Sequence, residues 1–157
     1  MCVKVVPFDL CAQFVIELGR TEVDILKWRP SYETSIPSMD EQHKKLIDLI
    51  NTMYHVMRNE EGPAIIDTVL VEMSNYASNH LQAEEALLQK NGYAEFENHL
   101  ALHKEYLKKM EELTEDWEKD KSTGAKNIYS FLRQWWLGHI VEEDRKYGPF
   151  LTEKGVQ

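Results

Sequence analysis

Apolar residues recur every three or four positions from Pro37 onward, and turn-forming residues separate the apolar stretches. This spacing predicts amphipathic α-helices and no convincing strand, because 3.6 residues complete one helical turn. We expect helices over about 38–58, 63–90, 95–118 and 123–147. Short links make neighbouring helices antiparallel, so the predicted fold is all-α, an up-down-up-down antiparallel four-helix bundle.

Residues with known capping preferences mark the predicted helix ends. They are Ser38 and Glu41 as a capping box for the first helix, Asn91 and Gly92 at the end of the second, Ser122 or Thr123 as the cap of the fourth, and Gly148 and Pro149 as its end.

The first part of the chain stands outside this helical pattern. The stretch "DILKWRPSYETSI" is predicted to be an extended N-terminal arm that carries Trp28 and Tyr32. We therefore divide the chain into a four-helix bundle domain over 23–157 and an N-terminal extension over 1–22 whose role the sequence does not define. Both cysteines, Cys2 and Cys11, fall in the extension and cannot link the rest of the chain.

Composition and charge exclude several classes of function. The 157 residues carry a net charge of -9, which argues against a nucleic-acid partner or an anionic membrane surface. No apolar run reaches the length of a transmembrane helix. Two cysteines near one end fit a reducing compartment, so we expect a cytoplasmic protein.

Polar side chains interrupt the apolar stripe of every predicted helix. These residues are His43 in the first helix, His80 and Glu84 in the second, His99 and His103 in the third, and His139 in the fourth. Burial without partners would cost on the order of several kcal/mol for each, too much for a domain with a net stability of about 5–15 kcal/mol. A shared cation removes this conflict, because imidazoles and carboxylates bind metal ions.

The number of candidate ligands favours two iron ions. Five imidazoles and a carboxylate exceed the four ligands of a zinc ion and are too rich in nitrogen for magnesium or calcium. Two irons that share bridging carboxylates account for the set. The Glu-x-x-His pairs of ferritin-like bundles are absent, because no glutamate stands three residues before a histidine.

Each of these signals is weak when taken alone. A single histidine is more often an ordinary core or surface residue, and H-x-x-x-E or H-x-x-x-H pairs arise freely on exposed helix faces. Their coincidence on all four apolar stripes is what indicates a site. His55 lies twelve residues after His43, about 120° around the helix, and is expected to have no metal role.

Four short motifs resemble the signature of the hemerythrin family in its stand-alone bacterial form. They are "DEQH" in the first helix, "HLQAE" in the second, "HLALH" in the third and "HIVEED" in the fourth. The resemblance covers about residues 24–150 and includes the tryptophan-bearing arm.

The resemblance implies a di-iron centre whose irons are bridged by an oxo or hydroxo group. Its implied ligands are His99, His103 and His139 for one iron, His43 and His80 for the other, and Glu84 and Asp144 as bridges. Dioxygen would bind reversibly at an open position of the second iron, for storage or transport. The implied protein is not an enzyme beyond low-level di-iron redox activity, and we expect a monomer or weak oligomer with no identified protein partner.

One implied ligand conflicts with simple helix geometry. Asp144 follows His139 by five residues, about 140° around an α-helix, whereas Glu143 at four residues lies nearer the face of the histidine. Spacing alone favours Glu143. We follow the resemblance and expect either a local distortion of the fourth helix or a carboxylate that reaches sideways.

Residues beside the ligand positions are expected to wall an oxygen pocket, although ordinary core packing explains each of them equally well. They are Leu46, Leu81, Trp135, Trp136 and Ile140. Tyr147 is expected to be either a hydrogen-bond partner of the ligands or an aromatic residue at the helix end.

Two other functions remain open at this point. One is a sensor whose di-iron site reports oxygen, redox state or iron to a partner. The other is a di-iron enzyme of the peroxidase or nitric oxide reductase type. We favour a carrier, because the chain has no room for an output domain and no free inward carboxylate beyond the ligands.

Overall fold

Four long helices form the all-α bundle that the periodicity predicts. The computed structural model describes residues 25–59 and 62–156. Helix α1 is Pro37–Met57 and α3 is Phe96–Lys119. Helix α2 comprises Ile65–Tyr76, the π-helical segment Ala77–Leu81 and Gln82–Asn91. Helix α4 comprises Gly124–Trp135, the π-helical segment Trp136–Asp144 and Arg145–Glu153.

Each helix packs against two antiparallel neighbours in the order α1, α2, α3, α4. The indole of Trp117, late in α3, donates to Asp67 Oδ1 at 2.6 Å, early in α2. Apolar packing forms two clusters, a large one through most of the bundle and a smaller one at the end that contains Met39, Leu88 and Leu151. In this described part of the chain, no helix has both the length and the apolarity to span a membrane.

The N-terminal arm, residues 25–36, lies against the bundle. The backbone N–H of Leu26 donates to Asn51 Oδ1 at 2.8 Å, and Asn51 Nδ2 donates to the carbonyl oxygen of Leu26 at 2.9 Å. The rings of Trp28 and Tyr32 meet Trp136 edge-on, with centroids 6.2 and 5.2 Å apart. The arm therefore covers part of α4 beside the candidate site. The predicted extension 1–22, with Cys2 and Cys11, lies outside the described residues.

The predicted end of the second helix is confirmed. Gly92 adopts the left-handed conformation, with φ 70° and ψ 45°. The N–H of Tyr93 donates to Leu88 O at 3.0 Å and that of Gly92 to Gln89 O at 3.1 Å, which is a Schellman ending. This reversal brings the ligand-bearing halves of α2 and α3 side by side.

The predicted capping box of α1 is wrong. Pro37 occupies the first turn, and no side chain caps the helix. Glu41 binds Lys44 instead, and Asp40 Oδ1 accepts hydrogen bonds from the backbone N–H and the hydroxyl of Thr34 at 2.8 and 2.9 Å. The proline shifts the start of the helix by one residue and leaves Ser38 inside the first turn.

The predicted cap of α4 is confirmed in position only. Thr123, one of the two predicted residues, is the N-cap, but its side chain makes no capping hydrogen bond, because the hydroxyls of Ser122 and Thr123 bind Asp120 within the preceding turn.

The predicted end of α4 is wrong as well, since the helix continues through Gly148 and Pro149 to Glu153. Gly148 is buried against the arm, and a Cβ at this position would lie 2.0 Å from the carbonyl oxygen of Thr34. The glycine is therefore required for close approach of two backbones and does not end the helix.

Candidate metal centre

Seven polar residues from all four helices meet inside the bundle, and none is more than 4 % exposed. They are His43 on α1, His80 and Glu84 on α2, His99 and His103 on α3, and His139 and Asp144 on α4. The site lies where the two apolar clusters meet, since His43 falls between Met39 of the smaller cluster and Leu46 of the larger one, and Glu84 falls between Leu81 and Leu88. His55, in contrast, lies at the partly exposed edge of α1 beside Tyr54 and belongs to neither metal-binding group.

Both π-helical segments fall on these residues. His80 lies in the π-helical part of α2, and the stretch from His139 to Asp144 lies in that of α4. A π-helix has i→i+5 hydrogen bonds, so residues five apart share a face. Asp144 Oδ1 accordingly lies 3.1 Å from His139 Nε2.

The same distortion directs Glu143 away from the site. Its Oε2 pairs with Lys146 Nζ at 2.6 Å, and its side chain is 31 % exposed. The expectation from spacing alone, which favoured Glu143, assumed α-helical geometry and placed the wrong carboxylate inside.

The ligand atoms form two sets that share both carboxylates. The first, here the three-histidine set, contains His99, His103 and His139 with Glu84 Oε1. Asp144 Oδ1 adjoins this set through its 3.1 Å contact with His139 Nε2. The second, the two-histidine set, contains His43 and His80 with Glu84 Oε2 and Asp144 Oδ2. Each carboxylate therefore directs one oxygen to each set, which is the geometry of a bridging ligand.

Distances within each set match the spacing of ligands around a cation. His43 Nε2 lies 3.2 Å from His80 Nε2, and His103 Nε2 lies 3.1 Å from His139 Nε2. Neighbouring ligands of an octahedral ion with bonds of about 2.1 Å are about 3 Å apart. The lone pairs of two ring nitrogens repel at this distance unless a proton or a cation lies between them. The donor atoms of each set therefore fit a bound metal ion.

Electrostatics keep both carboxylates ionised. Burial and the charge of Asp144 raise the pKa of Glu84, but hydrogen bonds from His80 and His99 outweigh them and lower it to about 2. Burial likewise raises the pKa of Asp144, while His139 and His43 hold it well below its usual range. Two buried negative charges this close need compensating positive charge, which bound cations supply.

Two side chains that the sequence analysis did not select orient the histidines. His80 Nδ1 lies 2.8 Å from Gln42 Oε1, and His103 Nδ1 lies 2.8 Å from Glu85 Oε1. When Nδ1–H donates in these bonds, Nε2 keeps its lone pair for a metal. Glu85 is only 28 % exposed because it spans the gap between α2 and α3.

Replacing Glu85 with glutamine should weaken metal binding about 10–100-fold, because the ring of His103 loses the charge that fixes its tautomer and raises its basicity. Competition with a chelator, followed by metal analysis, measures this change. The exposed Glu111 on α3 provides the control, since Glu111→Gln should leave the affinity unchanged. Equal affinities in the two variants would contradict a role for Glu85.

The residues expected to wall a pocket are all buried. Leu46, Leu81, Trp136 and Ile140 are at most 2 % exposed. Trp135 is 8 % exposed and stacks on His139, with ring centroids 3.8 Å apart.

Two buried tyrosines flank the carboxylates and histidines. The Tyr147 ring lies 6.0 Å from that of His99, and its hydroxyl has no hydrogen-bond partner among the described residues. Tyr76, which the sequence analysis did not select, stacks on His80. Burial, followed by the charges of Glu84 and Asp144, raises the pKa of both phenols well above the usual value.

The geometry agrees with comparison to known proteins. The model of the hemerythrin HHE cation binding domain matches residues 34–151, which include all seven polar residues. The chain belongs to the hemerythrin family. Its resemblance to that family, expected from the four motifs, is thereby confirmed.

Named members of the hemerythrin family align with most of this chain. The bacteriohemerythrin of Clostridium acetobutylicum is 30 % identical over 125 residues, covering 76 % of this chain and 96 % of the relative. That of Methylococcus capsulatus is 28 % identical over 136 residues, covering 82 % and 98 %. A crystal structure of wild-type hemerythrin superposes with a TM-score of 0.70 at 27 % identity, covering 80 % of this chain and 97 % of that one.

Proposed function

We propose that this hemerythrin-family chain binds dioxygen reversibly, for storage or transport, at two iron ions held by the seven polar residues. The observation that carries the proposal is the inequality of the two ligand sets. The three-histidine set offers three nitrogens and two carboxylate oxygens, and the two-histidine set offers two of each. With one further oxo or hydroxo bridge, a six-coordinate ion would be complete in the three-histidine set and would lack one ligand in the two-histidine set.

The donor chemistry supports iron. Nine protein donor atoms for two ions exceed what two tetrahedral zinc ions accept, and five of the nine are imidazole nitrogens, which magnesium and calcium disfavour. Mixed imidazole and carboxylate ligands suit iron. When bound, the two irons supply one electron each to dioxygen and recover them when it leaves.

The protein itself holds the ligand side chains in a buried site that excludes water. Its ligands are at most 4 % exposed and are covered by the aromatic residues Trp135 and Tyr76 on one side and by Tyr147 on the other. Exclusion of water protects a reduced site from irreversible oxidation. Within the described residues, both buried carboxylates of the centre would be taken up as bridges, which favours binding over an acid–base reaction.

An anaerobic oxygen titration tests this proposal. The protein is loaded with two ferrous ions per chain and titrated with dioxygen, while its visible absorption is recorded. We expect one dioxygen per iron pair and a spectrum that returns to its starting form under vacuum. Direct oxidation to a ferric form that vacuum does not reverse would reject the carrier function.

A further inference from the structure

A groove on the surface between α3 and α4, here the α3–α4 groove, reaches one of the candidate metal ligands. Its volume is about 490 Å³, which is typical of a site for a small molecule. Leu102, Tyr106, Phe131 and Trp135 form its apolar wall, and His139 of the three-histidine set also lines it. A molecule in this groove would therefore lie beside the metal centre without entering it.

The aromatic side chains of the wall form a continuous row that ends on the metal ligand. The ring centroids of Phe131 and Tyr106 are 5.3 Å apart, and those of Tyr106 and Trp135 are 4.7 Å apart. Trp135 stacks on the imidazole of His139 at 3.8 Å, with the two planes at 17°. A flat ligand stacked on this wall would be joined to the metal centre by unbroken ring contacts.

The floor of the groove is bare backbone at Gly138. A Cβ there would meet nothing within 4 Å, so a flat ligand can approach α4 closely. Beside it, His139 Nδ1 is buried and has no hydrogen-bond partner among the described residues. His139 Nε2 faces Asp144 and His103, so Nδ1 carries the proton when a metal is bound. This N–H can donate to a carbonyl oxygen of a ligand.

The charged residues of the groove do not favour a strongly anionic ligand. Three glutamates, Glu105, Glu112 and Glu143, line it together with two lysines, Lys108 and Lys109. Aromatic walls, a bare floor and one buried donor instead suit a neutral, planar ring system that bears a carbonyl group.

A second apolar groove, between α2 and α3, provides a contrast. Its volume is about 570 Å³, and its lining includes Leu70, Val71, Leu107 and Met110. The described residues that line it include no aromatic ring and no member of either ligand set. Size and apolarity alone therefore do not distinguish the α3–α4 groove, whereas its aromatic row and its contact with His139 do.

We propose that the α3–α4 groove binds the ring of a reduced flavin, which returns the iron pair from the ferric to the ferrous state through Trp135 and His139. The inference rests on the proposed function, because only the ferrous pair binds dioxygen. Each ferric ion accepts one electron, and flavins support one-electron chemistry, whereas nicotinamides transfer hydride. The dihydroflavin loses two electrons and two protons. Two ferric ions become ferrous, one proton converts the bridging oxide to hydroxide, and the other enters the solvent.

Equilibrium dialysis of riboflavin against the ferric, two-iron protein tests the site without electron transfer. Gly138→Leu fills the floor of the groove, and Phe131→Leu removes one ring of its wall. We expect each change to raise the dissociation constant of riboflavin about tenfold or more, with two irons retained. Ser74→Leu, in the α2–α3 groove, is the matched control and should leave the constant unchanged.

Anaerobic stopped-flow mixing of the ferric protein with dihydroriboflavin measures the electron transfer. At flavin concentrations below the dissociation constant, the rate should fall about tenfold or more in Gly138→Leu and in Phe131→Leu, because less flavin is bound. Reduction by dithionite, a small inorganic reductant that needs no aromatic wall, should proceed at the wild-type rate in both variants.

Riboflavin affinities equal to wild type in both groove variants, or no binding of riboflavin by the wild-type protein, would overturn the flavin site. Equal rates of reduction by dihydroriboflavin would overturn it as well. The dioxygen carrier can fail separately. If the wild-type protein oxidised irreversibly in oxygen while the groove variants alone lost riboflavin binding and flavin-driven reduction, the flavin site would be supported and dioxygen carriage rejected.

Discussion

Asp144→Ala should reduce the iron content of the reconstituted protein from two ions per chain to one or fewer. Both oxygens of this carboxylate are used, since Oδ1 lies 3.1 Å from His139 Nε2 and Oδ2 lies 3.1 Å from His43 Nε2. Its removal takes one donor oxygen from each ligand set and one negative charge from the centre as a whole. The remaining buried cations would be left with too few ligands and too little compensating charge.

Glu143→Ala is the matched control, because it changes the adjacent carboxylate of the same helix. Glu143 pairs with Lys146 near the surface, so the variant should keep two irons and an unchanged visible spectrum. Iron and protein assays on both desalted variants give the number of irons per chain, which shows which of the two carboxylates is the bridge. A normal iron complement in Asp144→Ala with loss in Glu143→Ala would show that the α-helical spacing had identified the correct bridge.

Gly148→Ala should lower the free energy of unfolding by about 3 kcal/mol or more. The new Cβ would lie 2.0 Å from Thr34 O, and this neighbour is backbone, which cannot rotate away. Thr34 is itself fixed by its two hydrogen bonds to Asp40. We expect the arm to detach from α4 in the variant.

Urea unfolding of the iron-free protein, followed by circular dichroism, measures this loss without a contribution from metal binding. Gly138→Ala serves as the control, since a Cβ there meets nothing within 4 Å and alanine stabilises a helix by about 0.5–1 kcal/mol relative to glycine. A change below about 1 kcal/mol in Gly148→Ala would mean that the arm does not pack against α4 as described.

The bundle and most of the site follow from the sequence because they depend on helical periodicity. A stripe repeated every three or four residues passes through His43, His99 and His103 whatever the neighbouring helices do. The Asn91–Gly92 reversal is equally local, because the left-handed conformation is a property of those two residues. Such features need no knowledge of tertiary contacts.

Other features depend on the neighbours of each segment and could not be read from one helix at a time. The π-helical turn that brings Asp144 inward is a change of backbone hydrogen bonding, which side-chain periodicity does not reveal. Gly148 looks like a helix end until the arm is placed against it. Glu85 contacts His103, and Gln42 contacts His80, each across an interface between two helices. These contacts depend on the register of the bundle.

Anomalous diffraction at the iron absorption edge, on crystals of the reconstituted protein, tests the two-set di-iron centre most directly. We expect two peaks per chain, one among His99, His103 and His139 and the other between His43 and His80, with Glu84 and Asp144 bridging them. A single peak, or a second peak outside the two-histidine set, would contradict it.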